Sequence, residues 1–199
     1  MAMNNLDRRT VLGGALATGL LSATPSLAMT NRQAETLVTS VVAEINRIIS
    51  SGASEARMLK DFEKLFLKYA DVPTIARYAL GRDARAASAR QMRDFTTAFT
   101  GYVSRKYGKR FREFIGGKIQ VNNSKPVKSY FEVSTTAFLS GQSPFDVTFL
   151  VSDKGGRPMF FNMFIEGINL LLTERSEIGA MLDKRGGNLD KLIADLKKI

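Results

Sequence analysis

The sequence predicts an α+β fold, with helices first, a four-stranded antiparallel sheet next and two helices last. Two observations carry that prediction. Apolar residues recur every three or four positions from residue 30 to about residue 115, then every second position between 118 and 166. These are the side-chain periods of helix and strand. The apolar runs of the second half are separated only by short turn-forming segments, which favours an antiparallel meander over parallel crossovers. The length of 199 residues and a hydrophobic content of 44% suit one packed domain.

Residues 1–28 read as an export signal that is cleaved rather than as structure. Asp7-Arg8-Arg9 precedes a Gly/Ala-rich apolar stretch from Val11 to Leu21, and Ser26-Leu27-Ala28 offers a small-residue cleavage site. The paired arginines followed by Thr10-Val11-Leu12 resemble a twin-arginine signal. A general secretory signal that happens to carry two arginines is the alternative. A retained anchor fits less well, because the apolar run is shorter than the ~20 residues of a span and is diluted by Gly13, Gly14, Thr18 and Gly19. With no Cys in the chain there is no residue to carry a lipoprotein's lipid. The expectation is a mature single domain over residues 29–199, located in the bacterial periplasm.

The helices follow in order. Leu37, Val41, Ile45 and Ile48 make one amphipathic stripe between Thr30 and about Ser51. A second helix is expected from about Ser54 to Tyr69, with Met58, Phe62, Leu65, Phe66 and Tyr69 inward. Asp71 can cap a short third helix that has Pro73 in its first turn and Gly81 past its end. A long helix is expected from about Ser88 to Ile115, striped by Met92, Phe95, Phe99, Tyr102 and Val103 and extended by Tyr107, Phe111 and Phe114. Gly101 and Gly108 interrupt it, and Gly116-Gly117 stops it.

Four strands are expected at Lys118–Asn122, Ser129–Leu139, Phe145–Ser152 and Met159–Glu166. Asn122–Pro126, Ser140–Pro144 and Asp153–Pro158 are the expected turns. In the third strand Phe145, Val147, Phe149 and Val151 share a face. In the fourth, strict alternation puts Met159, Phe161, Met163 and Ile165 on one face and Phe160, Asn162, Phe164 and Glu166 on the other. Helices over about Asn169–Arg185 and Leu189–Lys198 close the chain, split by Gly186-Gly187, with Asn188 as N-cap.

Composition excludes much chemistry. The chain has no His and no Cys, so a Ser-His-Asp triad, a His-ligated metal, a thiol nucleophile and an iron–sulfur cluster are all ruled out. No nucleophile elbow, S-x-x-K, P-loop or dinucleotide motif is present. Glu166 stands out among the acids because it ends an apolar strand directly before Gly167; capping or pairing with an arginine such as Arg175 is the plainer role for it. Net charge is +10. Residues 82–118 hold ten basic and three acidic residues, so most of the excess lies on the long helix and its approach. That stretch reads either as a solvated helix face or as a patch steering toward anionic headgroups or an acidic partner. Export and the lack of a recognised reading module disfavour nucleic acid.

The segment Ile75-Ala76-Arg77-Tyr78-Ala79-Leu80-Gly81-Arg82, the run from Ser88 to Phe99 and above all Phe161-Asn162-Met163-Phe164-Ile165-Glu166-Gly167-Ile168-Asn169-Leu170 are distinctive. With Arg175-Ser176-Glu177 and the terminal Gly187-x-Leu189-x-x-Leu192-x-x-x-Leu196, they resemble the MlaC/toluene-tolerance family of periplasmic lipid carriers. The order is kept across nearly all the mature chain. Departures stand at Ala84 and Pro158, where the family often has Trp, at Asn162 for an aspartate and at Asn169 for a serine.

The resemblance implies a curved sheet in a nuclear-transport-factor-like cone. It implies a monomeric, non-enzymatic shuttle that carries phospholipid between the inner and outer membranes and maintains outer-membrane lipid asymmetry, touching membrane surfaces transiently. The partners it implies are an inner-membrane ABC transporter with an MCE-domain protein and an outer-membrane lipoprotein complex. No cofactor, metal or catalytic residue is expected. The expected lipid-binding residues are Phe99, Tyr102 and Val103 from the long helix and Phe131, Val133, Val147, Phe149, Phe161, Met163 and Ile165 from the strands. From the residues alone, a filled core and a cavity under the sheet both stay open. So do other functions: a binder of another apolar ligand such as a sterol-like lipid or solvent molecule, a lipid hydrolase using Glu166 or a Ser, and a polyanion-binding or structural protein.

Overall fold

The computed structural model describes residues 29–109 and 115–199. The expected export signal, and Phe111 and Phe114 of the long helix, lie outside the described residues. Helix α1 spans Asn31–Ile49 and opens with a capping box, in which Thr30 and Gln33 satisfy each other's backbone N–H groups. Helix α2 spans Glu55–Tyr69 and α3 spans Val72–Leu80, the latter capped by Asp71 on the Thr74 amide. A short 3-10 turn at Gly81–Arg85 leads to α4, Ala89–Gly108, which has a second capping box from Ser88 and Gln91.

The sheet that follows has five strands, not four: β1 Lys118–Val127, β2 Tyr130–Phe138, β3 Phe145–Ser152, β4 Met159–Ile165 and β5 Ile168–Asn169. They pair antiparallel in sequence order. The fifth strand exists because Glu166 and Gly167 both take positive φ, 48° and 78°, and turn the chain straight back onto Phe164 and Ile165. The segment expected as the first turn, 122–126, is instead the second half of β1. Pro126 is tolerated there because β1 is an edge strand, and a bulge between Val121 and Asn123 restores the pairing. The actual turn is Lys128-Ser129, with Lys128 at φ 53°.

A second bulge, at Leu150/Val151, corrects the face assignment of β4. Val151 pairs with Phe160 while Leu150 pairs with Asn162, so Phe161 has no opposite residue. Phe160 is therefore inward and 5% exposed, against the strict alternation read from the sequence. Its ring meets Phe149 edge-on at 5.8 Å and Phe66 at 6.1 Å. Phe161 is half-buried and meets the Tyr130 ring edge-on at 5.6 Å. Bulges also bend strands, and this antiparallel sheet is curved.

Helices α1 to α4, with α5 (Leu170–Asp183) and α6 (Leu189–Leu196), complete the fold. Helix α1 lies on β1, β2 and β3; α3 and α5 meet β4; α2, α3 and α6 pack against α4. The core joins the helix stripes to the sheet's inner face, with Phe95, Phe99, Val133 and Val151 fully buried. Gly81, at φ 67°, ends α3 where a side chain would meet the Arg175 guanidinium at 3.3 Å. That guanidinium lies over the Tyr78 ring at 5.0 Å. Tyr78, Gly81 and Arg175, distant in sequence, thus form one contact between α3 and α5.

Candidate functional site

The helices do not fill the space under the sheet. An apolar chamber of about 120 Å³ opens between them. Its walls are Val41 and Ile45 of α1, Phe62, Leu65 and Phe66 of α2, Ile75 of α3 and Phe99, Val103, Ser104, Tyr107 and Gly108 of α4. The sheet adds Phe149, Phe160, Phe161, Asn162 and Met163, and α5 adds Leu170, Leu171 and Glu174. The α4 residues fall on one side because 99, 103, 104, 107 and 108 repeat at helical spacing. At Gly108 a side chain would come within 2.5 Å of a Leu59 methyl, so the missing side chain lets α2 and α4 approach closely.

A second chamber of about 840 Å³ is lined by Phe145, Met163, Ile165, Ile168 and Leu170 together with polar Lys106, Thr173, Glu166 and Glu177. Tyr107, Met163 and Leu170 line both chambers. The inner one alone falls below the ~300–1,000 Å³ of ordinary small-molecule sites, whereas the outer one is within that range.

Of the residues expected at the site, Phe99, Val103, Phe149, Phe161 and Met163 line the inner chamber, and Met163 and Ile165 line the outer one. Tyr102, Phe131, Val133 and Val147 line neither. Val133 and Val147 are buried on the same sheet face, at 0% and 7% exposure, and pack the core instead. Sequence reasoning misses the contributions of α1, α2 and α3 to the chamber, although Val41 and Ile45 of α1 and Phe62, Leu65 and Phe66 of α2 belong to the apolar stripes it identifies. It also misses Phe160, through the bulge, and Glu174, which no local pattern marks.

Glu174 is the buried acid among the described residues, 4% exposed, whereas Glu166 is exposed in its turn and donates its backbone amide to the Asp146 carbonyl. Glu174 Oε1 accepts from Lys106 Nζ at 2.6 Å and from the Tyr107 hydroxyl at 2.5 Å. Lys106 also donates to Glu177 Oε2 at 2.5 Å, as does the Tyr102 hydroxyl at 2.9 Å. Burial alone would lower the Lys106 pKa, but its hydrogen bonds to the two carboxylates outweigh it and raise the pKa above the usual lysine range. Burial, the nearby Glu174 charge and the bond to Glu177 push Tyr102 up to about 12. Burial and Glu174 raise Tyr107 as well. The cluster ties α4 to α5 at the border of the two chambers.

Two of the departures noted above are one unit. Asn162 Nδ2 donates to Asn169 Oδ1 at 3.0 Å, and Asn162 Oδ1 accepts from the Leu171 amide at 3.1 Å. Asn169 Oδ1 also caps α5 through the Leu172 amide. An aspartate and a serine in these places would keep a bond, with the hydroxyl donating in the opposite direction.

The basic stretch is partly structural. Arg105 donates to the carbonyls of Ile199 and Leu196, Arg90 pairs with Asp94, and Lys118 lies over the Phe138 ring. Among the described residues no three acidic side chains gather as metal ligands, and no helix is long and apolar enough to cross a membrane.

The family model described as MlaC protein matches residues 35–198. The chain belongs to the MlaC protein family. Its fold is also that of a solved phospholipid-binding protein from Ralstonia solanacearum in complex with a phospholipid. That likeness has a TM-score of 0.70 at 18% identity and covers 82% of this chain and 98% of the other. Within the MlaC fold of this chain, the chamber lies between the sheet and helices α1 to α5.

Proposed function

We propose that the protein is a periplasmic phospholipid carrier that holds acyl chains in the chambers between the helices and the sheet. It shuttles lipid between the inner and outer membranes and so maintains outer-membrane lipid asymmetry. In this reading it is not an enzyme. The observation that carries the reading is the apolar inner chamber, which shares Tyr107, Met163 and Leu170 with a wider, partly polar one. Membership of the MlaC family and a fold shared with a phospholipid-bound protein support it. The energetics favour tails over headgroup as the source of affinity. Each methylene taken from water is worth ~0.8 kcal/mol, against ~0–1 kcal/mol for an exposed ion pair.

The same reading places residues 1–28 as the cleaved export signal and 29–199 as the working domain. Its partners are an inner-membrane ABC transporter with an MCE-domain protein, which exchanges lipid with the carrier, and an outer-membrane lipoprotein complex. Incubating delipidated protein with phospholipid vesicles and separating the two tests this. Phospholipid recovered with the protein is expected; protein that stays lipid-free after repeated exposure contradicts the carrier role.

A further inference from the structure

Between Lys68 and Lys106 every basic residue is an arginine, although the chain uses lysine freely on both sides of that stretch. Several of these arginines meet at the contact between α3 and α5. Arg175 lies over the Tyr78 ring at 5.0 Å, and its guanidinium is 3.3 Å from where a side chain on Gly81 would begin, directly before Arg82. Arg82 and Arg85 are three apart in the 3-10 turn, a spacing that nearly eclipses their side chains. Arg77 precedes Tyr78 in the last turn of α3. All four arginines are exposed, and among the described residues none of them has an ion pair. Asp83 is the one acid between Asp71 and Asp94. Two exposed apolar side chains lie among these cations: Tyr78, 41% exposed, and Leu172, 51% exposed and one turn before Arg175 on α5. Four residues before Leu172, Ile168 is 60% exposed and lines the outer chamber, so the patch adjoins the chamber's rim.

We propose that this arginine face of α3, the 3-10 turn and α5 is a docking surface for a carboxylate-bearing protein, the partner that exchanges lipid through the adjoining chamber. The proposal deepens the carrier reading and rests on it. Charge complementarity sets the sign of the partner, because four guanidiniums without a local counter-charge call for acidic groups from outside. The choice of arginine sets its kind. An anionic bilayer attracts lysine and arginine about equally, so a membrane patch gives no reason to avoid lysine. A protein interface does: arginine and tyrosine are enriched there and lysine is depleted. A planar guanidinium grips a carboxylate with two parallel N–H bonds, and stacking on Tyr78 holds that of Arg175 in place before the partner arrives. Tyr78 and Leu172 supply the apolar contact that excludes water around those bonds.

The test measures binding of the lipid-loaded protein to two immobilised probes, the periplasmic domain of the MCE-domain protein and the outer-membrane lipoprotein of the same bacterium. Native protein is expected to bind at least one of them, with an association rate that falls as salt rises. Arg82→Glu and Arg175→Glu should each weaken that complex by about tenfold or more. Arg82→Lys should weaken it too, since lysine keeps the charge and loses the fork. Uptake of lipid from phosphatidylcholine vesicles should be unchanged in all three. Should Arg175→Glu not fold, the exposed Arg82 variants decide alone. Native protein that takes up lipid but binds neither probe, or charge reversals that leave the complex intact, overturn the docking surface and leave the carrier role standing. Reversals that abolish binding to phosphatidylglycerol vesicles while sparing the protein complex assign the patch to the membrane and also overturn it. Native protein that takes up no lipid overturns the carrier reading and with it the exchange role of the patch.

Discussion

Tyr107 donates its hydroxyl to Glu174 Oε1 at 2.5 Å, and this bond joins α4 to α5 at the border of the two chambers. The same carboxylate oxygen takes Lys106 Nζ. A buried carboxylate is held in place by donors from the facing helix, so removing the cation should be costly. Lys106→Met is expected to destabilise the protein by about 3 kcal/mol, because it leaves Glu174 charged and buried. Adding Glu174→Gln to that variant should restore part of the loss. Urea denaturation of the two variants against the native protein checks this, and a Lys106→Met variant as stable as the native protein contradicts it.

The same cluster sets a pH dependence at both ends. Burial pushes the Glu177 carboxyl up, but hydrogen bonds from Lys106 and Tyr102 more than offset it and hold it below its ordinary value. Arg185 likewise lowers Asp195. A depressed folded pKa gives stability that is present above the unfolded value, ~4 for these groups, and lost as pH falls through the folded value. Lys106 and Tyr102 are raised, so their contributions are whole below ~10 and are lost as pH rises through their folded values. Unfolding free energy should therefore be flat from about pH 5 to 9 and fall on both sides. Thermal melts of Glu177→Gln across the acid range should show a shallower fall than those of the native protein.

The β3–β4 bulge makes neighbouring phenylalanines unequal. Phe160 is buried against Phe149 and Phe66, while Phe161 is only half-buried. Phe160→Ala should cost about 3–5 kcal/mol and Phe161→Ala clearly less. The reverse order in chemical denaturation would mean that strict alternation holds and the bulge does not.

The paired asparagines predict coupling. Asn162→Asp turns a donor into an acceptor facing Asn169 Oδ1, which is already committed to the Leu172 amide. It should destabilise by about 1–2 kcal/mol. Asn169→Ser in the same chain supplies a donor and should recover much of that loss. A double-mutant cycle with no coupling energy contradicts the pairing.

Much of the fold was legible because helix and strand periods report burial directly. The stripe Leu37, Val41, Ile45, Ile48 became α1, and Asp71, Pro73 and Gly81 bounded α3 as their chemistry dictates. What escaped was non-local. Residues 122–126 look like a turn by composition, yet pairing with β2 makes them strand. The fifth strand rests on Glu166 in a left-handed conformation that composition favours only for its neighbour Gly167. Phe160 went to the wrong face because a bulge breaks period 2 and leaves no mark in the sequence. The wall of the candidate chamber was legible where it coincided with an apolar stripe, as at Phe99, Val103, Phe149 and Met163. Tyr102 sits in the same stripe but turns its hydroxyl to Glu177, a choice made by a partner 75 residues away. Glu174 was invisible for the same reason, since its burial is created by Lys106 and Tyr107 of another helix.

The most direct test of the carrier role is native mass spectrometry of the purified mature protein, with the mass of the bound species assigned after organic extraction. The expected result is a complex with phospholipid that is lost on delipidation, restored by vesicles, and absent from a folded Met163→Asp variant, whose charge sits in the wall of both chambers. A native protein that is lipid-free and refuses phospholipid from vesicles, or that releases an apolar molecule of another class, contradicts it.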